Sequence, residues 1–280
     1  MSIFHNQEVM YIKDVTLRVK DLKRSLDFYE NVIGLNVLLK NGSTATLGVD
    51  GPLVTIVEDK NIKPKSRHAG LYHFAILLPT RKDLADFLMR IVKYQYQITG
   101  GSDHGVSEAI YLDDPDGNGI EIYHDRDKSQ WPTTKEGGID MFTEGLDYDN
   151  LLQERSPELI SKMPKGTLMG HVHFHVRSID EARHFFTELI GFDVILQYGP
   201  SALFISDAGY HHHVGLNVWL GSHVTNNVDG PGLIRYRLNA TNEQIKHIKQ
   251  QLVQSNYPFS ETSNGLDVVD INGVLINIKH

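Results

Sequence analysis

The hydrophobic and polar positions of this chain repeat one order of elements four times. A short apolar strand is followed by an amphipathic helix and then by several β-rich runs. The predicted first strands cover residues 15–19, 71–78, 170–176 and 232–238. Apolar residues recur at helical spacing after each of these strands and at alternating or continuous spacing in the runs that follow. The pattern therefore predicts four βαβββ units, the mark of an internally repeated α+β protein.

Three of the predicted helices carry start signals. Asp21 is the predicted N-cap of the first helix, and capping boxes are predicted for Ser178 with Glu181 and for Thr241 with Gln244. In a capping box, each of the two side chains accepts a hydrogen bond from a backbone N–H that the first helical turn leaves unpaired. These caps set the boundary between strand and helix within the units.

The chain length of 280 residues favours two domains. We predict a first domain of units one and two over residues 9–128 and a second domain of units three and four over residues 169–280. Residues 129–168 form a proline-containing linker between them, predicted to pack on the surface with a short helix near residues 149–155. Each domain is expected to be a cup of curved β-sheet.

The amino-acid composition limits the classes of function that are compatible with this sequence. The formal net charge is −8, and no basic tract provides a footprint for nucleic acid. No apolar stretch is long enough for a membrane helix, and the N-terminal residues lack the pattern of a signal peptide, so a cytoplasmic protein that binds small molecules is expected. The chain has 15 histidines and no cysteine, which directs attention to metal or acid–base chemistry at histidine.

Aligning the four units with one another identifies candidate metal ligands. The equivalent first-strand positions, with one residue of slack in the last unit, are Asp14, His73, His171 and Arg235. The equivalent last-strand positions are Thr55, Glu121, Asn217 and Asn277. Alternate side chains of a strand share a face, so His73, His171 and Glu121 can point to one concavity. Two histidines and one carboxylate are typical of non-haem Fe(II) sites that activate oxygen, and they also suit a zinc site with an open position.

A run of histidines precedes the last strand of the third unit. Counting back from Asn217 by strand parity places His213 and His211 on the ligand face and His212 on the opposite face. A neutral imidazole near the metal can act as a general acid–base group, and His213 is the candidate. A hairpin that only binds adventitious metal is the competing interpretation.

Other polar side chains share this predicted face. Tyr111 has the same parity as Glu121 on the neighbouring strand, where its phenol could bond an oxyanion or simply belong to the core. His173 and His175 alternate with His171 along one strand, so they are candidate partners of the ligands or lining residues of a pocket.

The sequence resembles the vicinal oxygen chelate superfamily, which includes glyoxalase I, bleomycin and fosfomycin resistance proteins and type I extradiol dioxygenases. The motifs that carry the resemblance are GLYHFAILLP, SEAIYLDDPDGNGIEIYHDR, GHVHFHV and GYHHHVGLNVW. Together they are most similar to the two-domain catechol 2,3-dioxygenases of the Bacillus type. The resemblance covers nearly the whole chain and implies two cup-shaped domains of four βαβββ modules.

The resemblance also implies roles for individual residues. His73, His171 and Glu121 match the metal ligands, His213 best matches the acid–base histidine and Tyr111 the active-site tyrosine. His104 corresponds loosely to a further histidine upstream of that tyrosine. Better-known members carry the ligands on their third and fourth units, whereas unit four here has Arg235 and Asn277 at the ligand positions. The catalytic cup is therefore expected to combine units two and three.

These inferences predict an Fe(II)-dependent extradiol dioxygenase that cleaves catechol-type aromatics with O₂. Mn(II) is the alternative metal, and a homo-oligomer is compatible with the sequence. One alternative function is a glyoxalase-type metal-dependent isomerase or lyase, although such enzymes generally have a second metal-binding carboxylate. The other is a non-catalytic protein of the same fold that binds an aromatic compound or an antibiotic.

Overall fold

The computed structural model describes residues 3–280 and contains all four βαβββ units. The first unit comprises β1 (Tyr11–Val19), α1 (Leu22–Asp27), β2 (Asn36–Asn41), β3 (Thr44–Gly48) and β4 (Pro52–Glu58). The second comprises β5 (Gly70–Leu77), α2 (Arg81–Tyr94), β6 (Ile98–Asp103), β7 (Ser107–Asp113) and β8 (Gly119–Asp125). The linker contains a 3₁₀ turn (Lys128–Gln130), β9 (Glu144–Gly145) and α3 (Tyr148–Leu152).

The second half of the chain repeats the same order. The third unit comprises β10 (Leu168–His175), α4 (Ile179–Arg183), β11 (Asp193–Tyr198), β12 (Ala202–Ser206) and β13 (Val214–Asn217). The fourth comprises β14 (Gly232–Asn239), α5 (Asn242–Gln254), β15 (Phe259–Thr262), β16 (Gly265–Val269) and β17 (Leu275–Lys279). Helices α1 and α4 continue as π-helical turns over Phe28–Ile33 and His184–Ile190.

The helix boundaries follow the predicted caps. The side chain of Asp21 accepts a hydrogen bond from the N–H of Arg24, and Thr241 forms both arms of a capping box with Gln244. Ser178 accepts from the N–H of Glu181, which is one arm of the box predicted there. A second full capping box, which the sequence analysis did not predict, begins α2 at Thr80.

Each of the two sheets combines one unit from the first half of the chain with one unit from the second half. In one sheet the strand order is β15-β16-β17-β14-β1-β4-β3-β2, which joins units four and one. In the other the order is β11-β12-β13-β10-β5-β8-β7-β6-β9, which joins units three and two. The first strands pair antiparallel at each junction, β1 with β14 and β5 with β10. The expected pairing of units two and three is confirmed, and neither sheet is confined to residues 9–128 or 169–280.

The linker takes part in the fold. Strand β9 pairs with the edge strand β6, and α3 overlaps the region of residues 149–155 where a short helix was predicted. The buried guanidinium of Arg90 on α2 donates to the carbonyls of Ile33 and Ile160, which fixes the linker against the first unit. The pairing of β9 with β6 holds the linker at the edge of the sheet formed by units two and three.

Equivalent turns in units two and four carry buried carboxylates. Asp114 accepts hydrogen bonds from the N–H groups of Asp116 and Asn118, and Asp270 accepts from those of Asn272 and Val274. Their second oxygens lie near tyrosine hydroxyls, 3.0 Å from Tyr29 for Asp114 and 3.5 Å from Tyr236 for Asp270. Burial raises the pKa of Asp270 to about 7. These acids shape the last hairpins of their units.

Hydrophobic residues from both sheets and from the helices form one continuous core. This core lies behind the strands that carry the candidate ligands and so provides them with a rigid support. Within residues 3–280, none of the helices has the length and apolar character required to cross a membrane.

Candidate metal centre

The three predicted ligands lie close together in the sheet formed by units two and three. His73 lies on β5, His171 on β10 and Glu121 on β8, and all three are buried. The Nε2 atom of His73 is 3.0 Å from Oε2 of Glu121, and Nε2 of His171 is 3.2 Å from the same oxygen. Among the described residues, this is the one group of three or more histidine or acidic side chains close enough to hold a metal ion.

The strand register explains this convergence. His171 on β10 is opposite Ala75 on β5, and Ala75 is in turn beside Glu121 on β8. His73 precedes Ala75 by two residues and therefore shares its face of the sheet. Ala75 is on the central strand β5, between β10 and β8. Its small side chain leaves room for the side chains of His73, His171 and Glu121.

Hydrogen bonding supports the assignment of these residues as ligands. Nε2 of His73 and Nδ1 of His171 are buried and have no hydrogen-bond partner among the described residues. Buried polar groups are almost always paired, so an unpaired imidazole nitrogen 3.0 Å from a carboxylate oxygen fits a site built around a shared cation. The donor set of two imidazoles and one carboxylate matches what Fe(II), Mn(II) and Zn(II) accept.

The ionisation states also suit metal binding. Burial lowers the pKa of His171 to about 4, against the opposing charge of Glu121. Burial works against ionisation of Glu121, but its interactions with His171 and His73 hold its pKa well below the usual range. A neutral imidazole and an ionised carboxylate are the forms that donate electron pairs to a metal ion.

Tyr111 and His104 form a hydrogen-bonded pair beside the ligands. Tyr111 is opposite Glu121 in the β7–β8 register, and its hydroxyl is 2.8 Å from Nε2 of His104. Nδ1 of His104 lies 3.0 Å from the carbonyl of Phe142, which can only accept. In a neutral His104, Nδ1 therefore carries the hydrogen and Nε2 accepts from the tyrosine. Burial raises the pKa of Tyr111 well above its usual value, so the phenol stays protonated.

The predicted orientation of the histidine run is wrong. His212 lines the cavity, and its ring centroid is 4.0 Å from that of His171. The nitrogens of His213 instead face the backbone: Nδ1 accepts from the N–H of Asp207, and Nε2 lies 3.0 Å from the carbonyl of Phe4. Strand β13 begins only at Val214, so strand parity does not extend back through the turn that holds these histidines.

His211 lies behind His212 and outside the cavity lining. Its Nδ1 is 2.8 Å from Nδ1 of His212, and its Nε2 is 2.8 Å from Oδ1 of Asp125. Burial holds the pKa of His212 well below its usual value, so its imidazole is neutral. His212 and Asp125 are functional candidates that the sequence analysis missed, and the histidine run was the one signal that pointed towards them.

His173 and His175 contact neither Glu121 nor each other through hydrogen bonds. Both bond to Asn217, whose Nδ2 donates to Nε2 of His173 and whose Oδ1 lies 2.7 Å from Nδ1 of His175. His173 lines the cavity, with its ring above Gly215, where a Cβ atom would meet the imidazole at 2.8 Å. The unit-three counterpart of Glu121 is Gly215, so the alignment that placed Asn217 there is wrong. Gly215 pairs with His173, two residues after His171, as Glu121 pairs with Ala75, two residues after His73.

The sheet of units one and four carries a different set of contacts at these positions. The carboxylate of Asp14 forms a salt bridge with Arg237, and Arg235 donates to the hydroxyl of Thr16. Thr55 hydrogen-bonds Thr46. In the sheet of units one and four, the side chains at the ligand positions thus pair with neighbouring side chains.

A cavity of about 790 Å³ opens over the ligand residues. Its lining includes His73, Glu121, His173 and His212. Its walls are mainly aromatic, apolar or small polar residues, among them Tyr72, Phe142, Tyr198, Phe204 and Trp219. The linker contributes Met141, Phe142 and Thr143 to one wall. No lysine, arginine or aspartate occurs among the described residues that line it.

Comparisons with known proteins agree with this geometry. Residues 11–122 match the model of the Glyoxalase/Bleomycin resistance protein/Dioxygenase superfamily. The chain is 41% identical to the catechol-2,3-dioxygenase of Bacillus subtilis (strain 168), over 98% of this chain and 98% of that protein. It is 29% identical to the metallothiol transferase FosB of Lysinibacillus sphaericus, over 41% of this chain and 82% of that protein.

The solved structure of glyoxalase I from Zea mays shows the same fold. It aligns with a TM-score of 0.59 at 15% identity and covers 96% of this chain and 92% of the maize chain. The chain thus belongs to the glyoxalase/bleomycin resistance/dioxygenase superfamily, with the α+β fold of repeated βαβββ units that the sequence predicted.

Proposed function

We propose that this protein is an Fe(II)-dependent extradiol dioxygenase that acts on catechol-type aromatics. The observation that carries the proposal is the buried group of His73, Glu121 and His171, with both Nε2 atoms within 3.2 Å of one carboxylate oxygen. The similarity to a catechol-2,3-dioxygenase along almost the whole chain supports the reaction class. The reaction joins one catechol and one O₂ into a ring-opened product that retains both oxygen atoms.

Fe(II) would be held by His73, His171 and Glu121. Bound there, it would supply chelation of the two catechol oxygens and activation of O₂, the chemistry of iron sites with two histidines, one carboxylate and open positions. Mn(II) accepts the same donors and is the alternative metal. The remaining contributions come from the protein's own side chains.

His212 takes the acid–base role proposed for the histidine run. It is neutral, lines the cavity and lies against His171, so its free nitrogen Nε2 can accept a proton from a substrate hydroxyl and later return it. His213 is not a candidate for this role, because both of its nitrogens are taken up by backbone groups.

Tyr111 and His104 are proposed to bind a substrate oxygen. While His104 is neutral, the tyrosine hydroxyl donates to it and offers its own oxygen as an acceptor. A proton on His104 would make both imidazole nitrogens donors, and Tyr111 would then be free to donate to a developing oxyanion. The pair can thus serve both the neutral substrate and a charged intermediate.

The cavity lining favours catechols with neutral substituents. A volume of about 790 Å³ lies within the range of sites for drug-sized ligands, larger than a single ring requires. Aromatic side chains such as Phe204 and Trp219 offer apolar contacts to a substituent, whereas no lysine or arginine of the lining could neutralise an anionic one.

Oxygen uptake tests the proposal. Protein reconstituted with Fe(II) under anaerobic conditions is mixed with catechol, 3-methylcatechol or a biphenyl-diol in air-saturated buffer. The expected result is consumption of one O₂ per catechol and a yellow ring-opened product. Iron-loaded protein that binds these compounds without oxygen uptake would overturn the proposal and favour a binding protein, and turnover of a hemithioacetal without O₂ would favour an isomerase.

A further inference from the structure

A line of hydrogen-bonding groups runs from half-buried Asp125 at the end of strand β8, through buried His211, to the cavity. Oδ1 of Asp125 is 2.8 Å from Nε2 of His211, and Nδ1 of His211 is 2.8 Å from Nδ1 of His212. His211 has no solvent exposure, and His212 is 9% exposed at the cavity wall. None of the three residues is one of the candidate metal ligands.

The chemistry of these groups determines which nitrogens carry hydrogen. An ionised carboxylate can only accept, so Nε2 of His211 donates to Asp125. When His211 carries a single ring hydrogen, its other nitrogen is an acceptor, and Nδ1 of His211 receives the hydrogen on Nδ1 of His212. Nε2 of His212 is consequently left with a free electron pair.

We propose that Asp125, acting through His211, sets the tautomer of His212 and thereby keeps its Nε2 atom ready to accept a proton from the bound substrate. Asp125 and His211 are positioning residues in this arrangement, since neither lines the cavity. The catalytic meaning of the relay rests on the function proposed above, whereas the tautomer itself is a property of the protein without metal or substrate.

The surroundings hold the relay in place. The hydroxyl of Tyr210 donates to Oδ2 of Asp125 at 2.8 Å, which leaves Oδ1 for His211. The ring of His211 packs against both Tyr210 and Trp131, with centroids 3.9 and 5.4 Å away. Trp131 is itself anchored, because its indole N–H donates to the carbonyl of Arg126. A buried polar chain of this kind is stable only when each member has its partner.

The opposite tautomer would impair the proposed chemistry. With the hydrogen on Nε2, His212 would present a donor to the substrate hydroxyl and could not accept its proton. A carboxylate that fixes the tautomer of a catalytic histidine has a large effect in serine proteases, where it acts directly. Asp125 acts through a second histidine, so its loss is expected to lower kcat about 10–100-fold. Losses of this size are typical when a residue that orients a metal ligand is replaced.

Nitrogen NMR of metal-free protein labelled with ¹⁵N-histidine tests the tautomer directly. The signals of His212 are assigned by their loss in His212→Gln, since the chain has 15 histidines. In the wild type, the spectrum is expected to show the hydrogen on Nδ1 of His212. Asp125→Ala and His211→Phe should abolish this preference, and the second variant keeps an aromatic ring packed against Tyr210 and Trp131.

Kinetics of the iron-loaded variants provide the second readout. Asp125→Ala and His211→Phe should lower kcat about 10–100-fold with little change in KM or in bound iron. Tyr210→Phe removes the bonds of its hydroxyl to Oδ2 of Asp125 and to the hydroxyl of Tyr123 but leaves the bond between Asp125 Oδ1 and His211, so this comparison variant should retain the Nδ1 tautomer.

The inference would be overturned if wild-type His212 carried its hydrogen on Nε2. It would also be overturned if the tautomer or kcat were unchanged in both Asp125→Ala and His211→Phe. If the wild type consumed no oxygen with any catechol, the proposed function would fail, and the NMR spectra would still decide the tautomer.

Discussion

Nε2 of His171 lies 3.2 Å from Oε2 of Glu121, although the two residues belong to different repeat units on opposite sides of the linker. The contact exists because β10 pairs antiparallel with β5, and β8 runs parallel to β5 on its other side. Neither unit two nor unit three supplies all three ligands alone. The candidate metal centre is therefore a product of the junction between the two halves of the chain.

Replacing His212 should affect the reaction much more than replacing its neighbour. His212→Gln is expected to lower kcat about 10²–10⁴-fold, the usual contribution of a general acid–base group, while iron binding is retained. Steady-state oxygen uptake and iron content of the purified variant provide the measurement.

His213→Gln is the comparison within the same histidine run. Its loss removes hydrogen bonds to the backbone of Phe4 and Asp207, so we expect a cost of about 1–3 kcal/mol in stability and a kcat within a few-fold of the wild type. A large loss of kcat in His213→Gln with a small one in His212→Gln would reverse the assignment.

If the proposed function holds, the protein should prefer neutral substituents on the catechol ring. A carboxymethyl group would bring a charge into a cavity whose described lining contains no lysine or arginine. Leaving a buried charge without a partner costs at least about 1–3 kcal/mol, so kcat/KM should be at least about 10-fold lower than for a methyl- or phenyl-substituted catechol. Comparable kcat/KM values for the two kinds of substrate would contradict this account of the lining.

Asp270 should make stability depend on pH. Its pKa of about 7 in the folded protein exceeds the usual value of about 4, because burial disfavours the carboxylate. The folded state therefore binds this proton more tightly than the unfolded state. The stability that the neutral acid contributes is present in acid and is lost as pH rises from about 4 through about 7.

Asp270→Asn isolates this contribution, because the amide is neutral at every pH and its oxygen can still accept from Asn272 and Val274. Between about pH 4 and pH 8, the wild type should lose up to about 4 kcal/mol more unfolding free energy than the variant in urea titrations. Glu243→Gln, on the exposed face of α5, should follow the wild type. A constant difference between wild type and Asp270→Asn across this range would contradict the prediction.

Much of the fold was readable from the sequence because each unit is locally consistent. Caps such as Asp21 and Thr241 mark the helix starts, and the four copies reinforce one another. The alignment of units also identified His73, Glu121 and His171 as candidate ligands. Unit one has Asp14 and Thr55 at the corresponding positions, so the histidines and the glutamate are specific to units two and three. The pairing of units two and three needed the family resemblance, because antiparallel first strands can join in more than one combination.

The remaining features depend on irregular chain. Strand parity failed at His212 and His213 because the residues before β13 form a turn, where side chains do not alternate. Phe142 and its neighbours in the linker reached the cavity wall without any periodic signal in the sequence. Asp125 ends a strand that was predicted, but its bond to His211 is set by tertiary packing alone.

Binding of Fe(II) to the metal-free protein tests the central claim most directly. An anaerobic titration should show one tight equivalent for the wild type and for Glu136→Ala, a control on the exposed linker. Glu121→Ala should bind iron more than about 100-fold more weakly, because a lost ligand costs more than a lost partner of a ligand. One tight equivalent in Glu121→Ala, with oxygen uptake on catechol unchanged, would show that the reaction does not depend on this site.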